Sequence, residues 1–101
     1  MHKILVLYPF PQDERKFRPY YEDVHMPLVA KLPGLKAYRH SFSISAPPGA
    51  PVPFYCIFEA EFADRPAMIA AMTSPAGQAV VADAANFATT PATVVHYDVA
   101  G

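Results

Sequence analysis

Two neighbouring stretches of alternating side chains constrain this chain more than anything else in it. From Leu35 to Ser45, Tyr38, His40, Phe42 and Ile44 fall on one side, and Ala37, Arg39, Ser41 and Ser43 on the other. From Phe54 to Phe62, Phe54, Cys56, Phe58, Ala60 and Phe62 alternate with Tyr55, Ile57, Glu59 and Glu61. A period of two is the signature of a strand with two unlike faces. The proline-rich connector APPGAPVP between the runs predicts an antiparallel pair with a long, stiff, exposed tip.

The remaining segments arrange themselves around that pair. His2 to Tyr8 (HKILVLY) is a β-rich run closed by Pro9 and Pro11, which cannot donate into a sheet ladder. Asp13 offers an N-cap, and Phe17, Tyr21, Val24, Leu28 and Leu32 recur at helical steps until Pro33-Gly34 stops the helix. Asp64 caps a second helix over Pro66 to Met72, and Ser74-Pro75 restarts it through Val80, Val81, Ala84, Phe87 and Ala88. Thr93 to Val99 (TVVHYDV) is the last strand. The order β-α-β-β-α-β predicts a single α+β domain over residues 1–101, a ferredoxin-like sandwich with helices on one face of an antiparallel sheet.

That architecture leaves the second face of the sheet bare, and the C-terminal third is poor in charge. Every lysine and arginine lies at or before Arg65, and only Asp83 and Asp98 follow it among charged side chains. A homodimer is expected, its two sheets closing around a cavity lined by alternate residues of the strands. The net charge of -1 argues against nucleic acid and anionic membrane surfaces as partners. The single cysteine, Cys56, reads as a small buried hydrophobe and gives no sign of an oxidising compartment. No stretch reaches the roughly 20 apolar residues that span a bilayer, and the run from Ile4 to Phe10 does not suit a secretory signal. A cytoplasmic location is expected.

The candidate chemistry centres on His25, which shares a helix face with Tyr21, Leu28, Val29 and Leu32. Two residues on, Pro27 removes the bond to the carbonyl of Asp23, at roughly 3 kcal/mol or more unless the helix bends. Pro19 raises the same difficulty nearer the start. If the helix end converges on the second strand, Tyr38 and His40 join His25 in one cluster. An imidazole suits proton transfer near neutral pH, and a tyrosine hydroxyl can stabilise a developing enolate oxygen. His96 reads as structural. No cluster has metal-ligand spacing, and neither a glycine-rich phosphate loop nor a GxSxG elbow is present, so neither metal nor cofactor is expected.

Two blocks of the sequence are familiar as a set. Phe17, Tyr21, His25-x-Pro27-Leu28, Pro33-Gly34-Leu35 and Tyr38 form the first; Ser74-Pro75-x-Gly77 with Asp83-x-x-Asn86-Phe87 forms the second. Together they resemble the EthD family, named for a protein of ethyl tert-butyl ether degradation, over nearly the whole chain. The chain departs from the pattern at Pro19 and at Ala76, where an acidic residue is usual. The resemblance implies a dimeric α+β barrel, a fold shared with muconolactone-type isomerases, polyketide cyclases, small cofactor-free monooxygenases and haem-binding enzymes. It also implies His25 and Tyr38 in the pocket. Fold alone does not select a reaction.

Three functions follow. In the first, His25 moves a proton on a small aromatic or lactone carbonyl compound, during degradation of organic compounds, with Tyr38 and His40 as further catalytic candidates. In the second, Tyr21, Phe42, Phe54, Phe58 and Tyr97 line a site that only holds a hydrophobic ligand for an oxygenase. In the third, His25 is the axial ligand of a haem.

Overall fold

Strand β1 (His2–Tyr8) is an inner strand of a four-stranded sheet, and every other part of the fold is placed relative to it. The structure, a computed structural model, describes residues 1–100. Strands β2 (Ala37–Ser41), β3 (Cys56–Phe62) and β4 (Thr93–Asp98) complete the sheet in the order β2-β3-β1-β4, with all neighbours antiparallel. The α+β, ferredoxin-like β-α-β-β-α-β order read from the sequence is therefore the fold. The expected pairing across APPGAPVP is also present, since Tyr38 lies opposite Ala60 and His40 opposite Phe58.

The register separates the faces of the sheet. Ile4, Tyr8, Cys56, Phe58, Ala60 and Phe62 are buried on the face that carries the helices. Lys3, Leu5, Leu7, Ile57, Glu59, Val95 and Tyr97 belong to the other face. There Lys3 lies 3.6 Å from Glu59 and 3.4 Å from Glu61, and Arg39 reaches Glu59 at 2.6 Å and Glu61 at 3.5 Å. Among the described residues no helix covers this face. Val95 and Tyr97 remain 45% and 40% exposed on it.

The first helical region is broken in a way that answers the two prolines. Helix α1 (Glu14–Tyr20) starts at Asp13, whose carboxylate accepts the Arg15 N–H at 3.0 Å, and it contains Pro19. One π turn, Tyr21–His25, follows and is closed by the Met26 N–H on the Tyr21 carbonyl. Helix α2 (Met26–Val29) resumes with Pro27 in its first turn, where a missing N–H costs least. A π turn holds one residue more than an α turn, so it rotates every later side chain. The expected stripe is corrected accordingly: Val24 is 42% exposed and Leu28 half-buried, while Tyr21, His25, Met26, Val29 and Leu32 turn inward. Gly34, at φ 72°, then closes the segment as Pro33-Gly34 predicts.

On the other side of the helix layer, α3 (Arg65–Thr73) and α4 (Pro75–Asp83) meet at a sharp corner. Ser74 makes it, ending α3 and capping α4 by accepting the Gly77 N–H at 3.1 Å. Gly77 is buried against the backbone of the preceding helix, and a Cβ there would run into the carbonyl oxygens of Ala71 and Met72. This explains the Ser-Pro-x-Gly block, since neither neighbour is a flexible side-chain end that can yield. Among the described residues no helix is long and apolar enough to cross a membrane.

Gly77→Ala is the sharpest check on this corner. On an exposed helix the change stabilises by about 1 kcal/mol. Here overpacking is expected to destabilise by about 1–3 kcal/mol, read as a lower urea midpoint with an unchanged slope.

Candidate functional site

Burial of His25 follows from the π turn, and its partner comes from the far end of α4. His25 is only 3% exposed, its ring stacked on Tyr21 with centroids 5.5 Å apart and met edge-on by Phe87 at 4.6 Å. Its Nδ1 lies 2.9 Å from Oδ2 of Asp83, the last residue of α4. The other carboxylate oxygen accepts the Tyr20 hydroxyl at 2.6 Å and the Asn86 amide N–H at 3.0 Å. Three donors therefore converge on one buried carboxylate.

These contacts fix the protonation state. Burial pushes the Asp83 carboxyl up, but Tyr20, Asn86 and His25 together hold it below the usual carboxylate range. Burial pulls the His25 imidazole below its ordinary value, with Asp83 opposing the shift. At neutral pH the pair is thus a neutral imidazole beside an ionised carboxylate. Nδ1–H donates to Asp83, which leaves the lone pair on Nε2. Among the described residues Nε2 has no hydrogen-bond partner, yet it is not sealed off from solvent-sized space.

His25 lines a cavity of about 580 Å³ between the sheet and the helices, inside the range of roughly 300–1,000 Å³ typical of small-molecule sites. Val29, Phe58, Phe62, Met68, Met72 and Val94 are among its apolar lining, and His25, Tyr8, Thr89 and His96 are its polar points. It opens beside β4, where Thr89, Pro91, Val94 and His96 stay exposed. The Tyr8 hydroxyl also lacks a partner among the described residues without being enclosed, and burial pushes its pKa up, so it remains a neutral donor.

This cavity within the chain lies on the helix side of the sheet, whereas the one expected from the sequence lies on the other face, between two sheets. Of the expected site residues, His25 and Phe58 reach it. Tyr38 is 40% exposed and makes no hydrogen bond or ring contact with His25 or His40 among the described residues. The rings of His25 and His40 each pack on Tyr21, at centroid distances of 5.5 and 5.3 Å, rather than on Tyr38, so the expected three-residue cluster does not assemble. His40 Nε2 stands 4.0 Å from Glu22 instead. Tyr21 has no exposed surface and packs beneath His25 as core. Phe42 lies under the Arg18 guanidinium, 4.6 Å from its ring centroid. Phe54 is half-buried outside the lining, and Tyr97 is on the opposite face of the sheet. Cys56 is fully buried and its thiol is pushed up to about 12 by that burial, in keeping with a hydrophobe.

Asp83, Asn86, Tyr20 and Tyr8 are the residues that sequence reasoning missed. A signal was available for Asp83: one of only two acids in an apolar third, with Asn86 three residues on. A carboxylate at that place must be paired or exposed.

A ferredoxin-like α+β protein with a buried histidine–aspartate pair, its histidine lining an apolar, ligand-sized cavity, is the class that this fold and site define. The EthD domain model matches residues 11–91, and the chain belongs to the EthD family. It is 31% identical over 98 residues to an uncharacterized 11.0 kDa protein in the thcB-thcC intergenic region of Rhodococcus erythropolis, covering 97% of this chain and 94% of that one. Among solved structures it is similar to an EthD family protein from Bacillus halodurans C-125, at 30% identity and TM-score 0.89 with 99% of each chain covered. An EthD-like protein from Ralstonia eutropha JMP134 follows at 25% identity and TM-score 0.77, covering 96% and 89%. A dimeric ferredoxin-like protein of unknown function from Thermobifida fusca YX, at 15% identity and TM-score 0.70 over 97% and 89%, shares the fold alone.

The protonation states give a stability test. A histidine with a lowered folded pKa stabilises fully above its unfolded value of about 6.5, and that contribution is lost as pH falls through the folded value. Asp83, also lowered, adds a further loss below about 3.9. Thermal midpoints are expected to fall from pH 7.5 to pH 5, and to fall less in His25→Gln. Equal slopes in the two proteins would contradict the assignment.

Proposed function

We propose that the chain is a proton-transfer enzyme acting on a small, largely apolar carbonyl compound, with His25 Nε2 as the base. The observation that carries this reading is the 2.9 Å bond from Nδ1 to Asp83, because it leaves the basic nitrogen free on a residue that lines an apolar cavity. A base so placed takes a proton from the carbon beside the carbonyl. Asp83 stabilises the imidazolium that forms, and the negative charge moves to the carbonyl oxygen as an enolate. Tyr8 is better situated than Tyr38 to donate to that oxygen, since Tyr8 lines the cavity and Tyr38 does not. Isomerisation, cyclisation and decarboxylation all use this chemistry, and degradation of organic compounds is a setting that suits it.

The proposed working form is a homodimer joined through the bare face of the sheet. Val95 and Tyr97 offer apolar surface there, and the similar Thermobifida fold is described as dimeric. Light scattering at micromolar concentration is expected to give twice the mass of the chain. A monomer mass would contradict the dimer.

The acid–base reading is tested with 2-tetralone, a bicyclic ketone whose α-protons exchange in D₂O and are followed by proton NMR. The protein is expected to accelerate exchange over buffer, and His25→Gln to lower that acceleration by at least about tenfold. Exchange at the buffer rate, or equal rates in both proteins, contradicts the reading. Binding of 2-tetralone without exchange, undisturbed by His25→Gln, favours instead a non-catalytic protein that holds a hydrophobic ligand.

A further inference from the structure

A second chain of titratable groups enters the same cavity from the sheet. His2 on β1 and His96 and Asp98 on β4 share the helix side of the sheet, because His2 is opposite Asp98 and Ile4 opposite His96. His2 is 3% exposed, with Nδ1 2.7 Å from the Asp98 carboxylate and Nε2 2.9 Å from Nδ1 of His96. The two rings lie 5.1 Å apart. His96 lines the cavity, and the Asp98 side chain is 83% exposed to solvent. The chain therefore runs from the cavity, through a buried imidazole, to the surface. The register is pinned by the Val99 N–H bonding to the Met1 carbonyl at 2.9 Å.

Building the protons in from the carboxylate end gives the relay a direction. Asp98, held ionised mainly by its bond to His2, accepts from Nδ1–H of His2. His2 Nε2 is then an acceptor and takes Nδ1–H of His96. The lone pair is left on His96 Nε2.

We propose that His96 is a second proton-transfer residue of the cavity, positioned by His2 and Asp98 and connected through them to solvent. A proton leaving the ligand bonds to His96 Nε2 as the bond to the ligand breaks. The Nδ1 proton of His96 passes to His2 Nε2, so His96 ends neutral and His2 ends as an imidazolium against the Asp98 carboxylate. The Nδ1–H bond of His2 then breaks, its proton passing through the exposed Asp98 carboxylate to water, which leaves both rings neutral with their protons on Nε2. The ligand has lost one proton, the solvent has gained one, and no electrons have moved. The reverse sequence delivers a proton to the ligand. This inference rests on the proton-transfer reading and deepens it: with His25, the cavity has two proton-handling groups on different elements. Its substrate class is a carbonyl compound that loses a proton at one atom and regains one at another.

Long-range ¹H–¹⁵N NMR on protein labelled at histidine reads the tautomers directly. Neutral His96 is expected to carry its proton on Nδ1 in the parent protein, and to revert in Asp98→Ala to the Nε2–H form preferred in water. A proton on Nε2 in the parent, or no change in Asp98→Ala, overturns the relay. The activity arm separates the two proposals. His96→Ala is expected to slow 2-tetralone exchange by about tenfold or more while His25 keeps its Nδ1–H signal. If exchange is unaltered in His96→Ala but lost in His25→Gln, the relay falls and the His25 reading stands. If His25→Gln has no effect on exchange, it is the His25 reading that falls.

Discussion

The Asp83 carboxylate is the constraint on which the rest of the site depends. It sits at the C-terminal end of α4, where the helix dipole disfavours a negative charge by about 0.3–1 kcal/mol, and it is buried besides. Only a convergent set of donors can hold it there, and Tyr20, Asn86 and His25 supply them. The same bonds tie the first helical region to the end of the second. They also choose which nitrogen of His25 is free. Orientation, tautomer and packing of the two helical regions are thus set by one ionised group.

The π turn is the second element of the arrangement. Pro27 denies the helix its bond to the Asp23 carbonyl, and the wider turn absorbs the defect without a break in the chain. Its consequence is a change of phase. His25 moves from the margin of the expected stripe to the inside of the fold, stacked on Tyr21 and against Phe87. The aromatic layer of Tyr8, Phe17, Tyr21 and Phe87 then forms a rigid floor that keeps the imidazole from turning away from Asp83.

Much of the fold was legible because it rests on local chemistry. Alternation in Phe54 to Phe62, Asp13 and Asp64 as caps, Pro33-Gly34 as a stop and Ser74-Pro75 as a corner each report a short-range preference that tertiary packing left in place. The site was less legible because it is long-range. His25 was found from its setting, but Asp83 is separated from it by most of the chain, and no pattern in either segment announces the contact. Tyr38 shares a strand face with His40 as alternation requires, yet sharing a face does not bring it under the helix. The cavity beneath the helices was not legible for a related reason. The bare face can be inferred from a count of elements, whereas a gap beneath the helices depends on how much space small side chains such as Ala84, Ala85 and Ala88 leave unfilled.

The central claim is that His25 is neutral at neutral pH, with its proton on Nδ1 and its Nε2 lone pair open to the cavity. The most direct measurement is the ¹⁵N chemical shift of both His25 ring nitrogens at pH 7, before and after addition of 2-tetralone. The account predicts a protonated Nδ1, an unprotonated Nε2, and a change on ligand addition that is centred on Nε2. A proton on Nε2, a doubly protonated ring, or a spectrum unmoved by saturating ketone would contradict it.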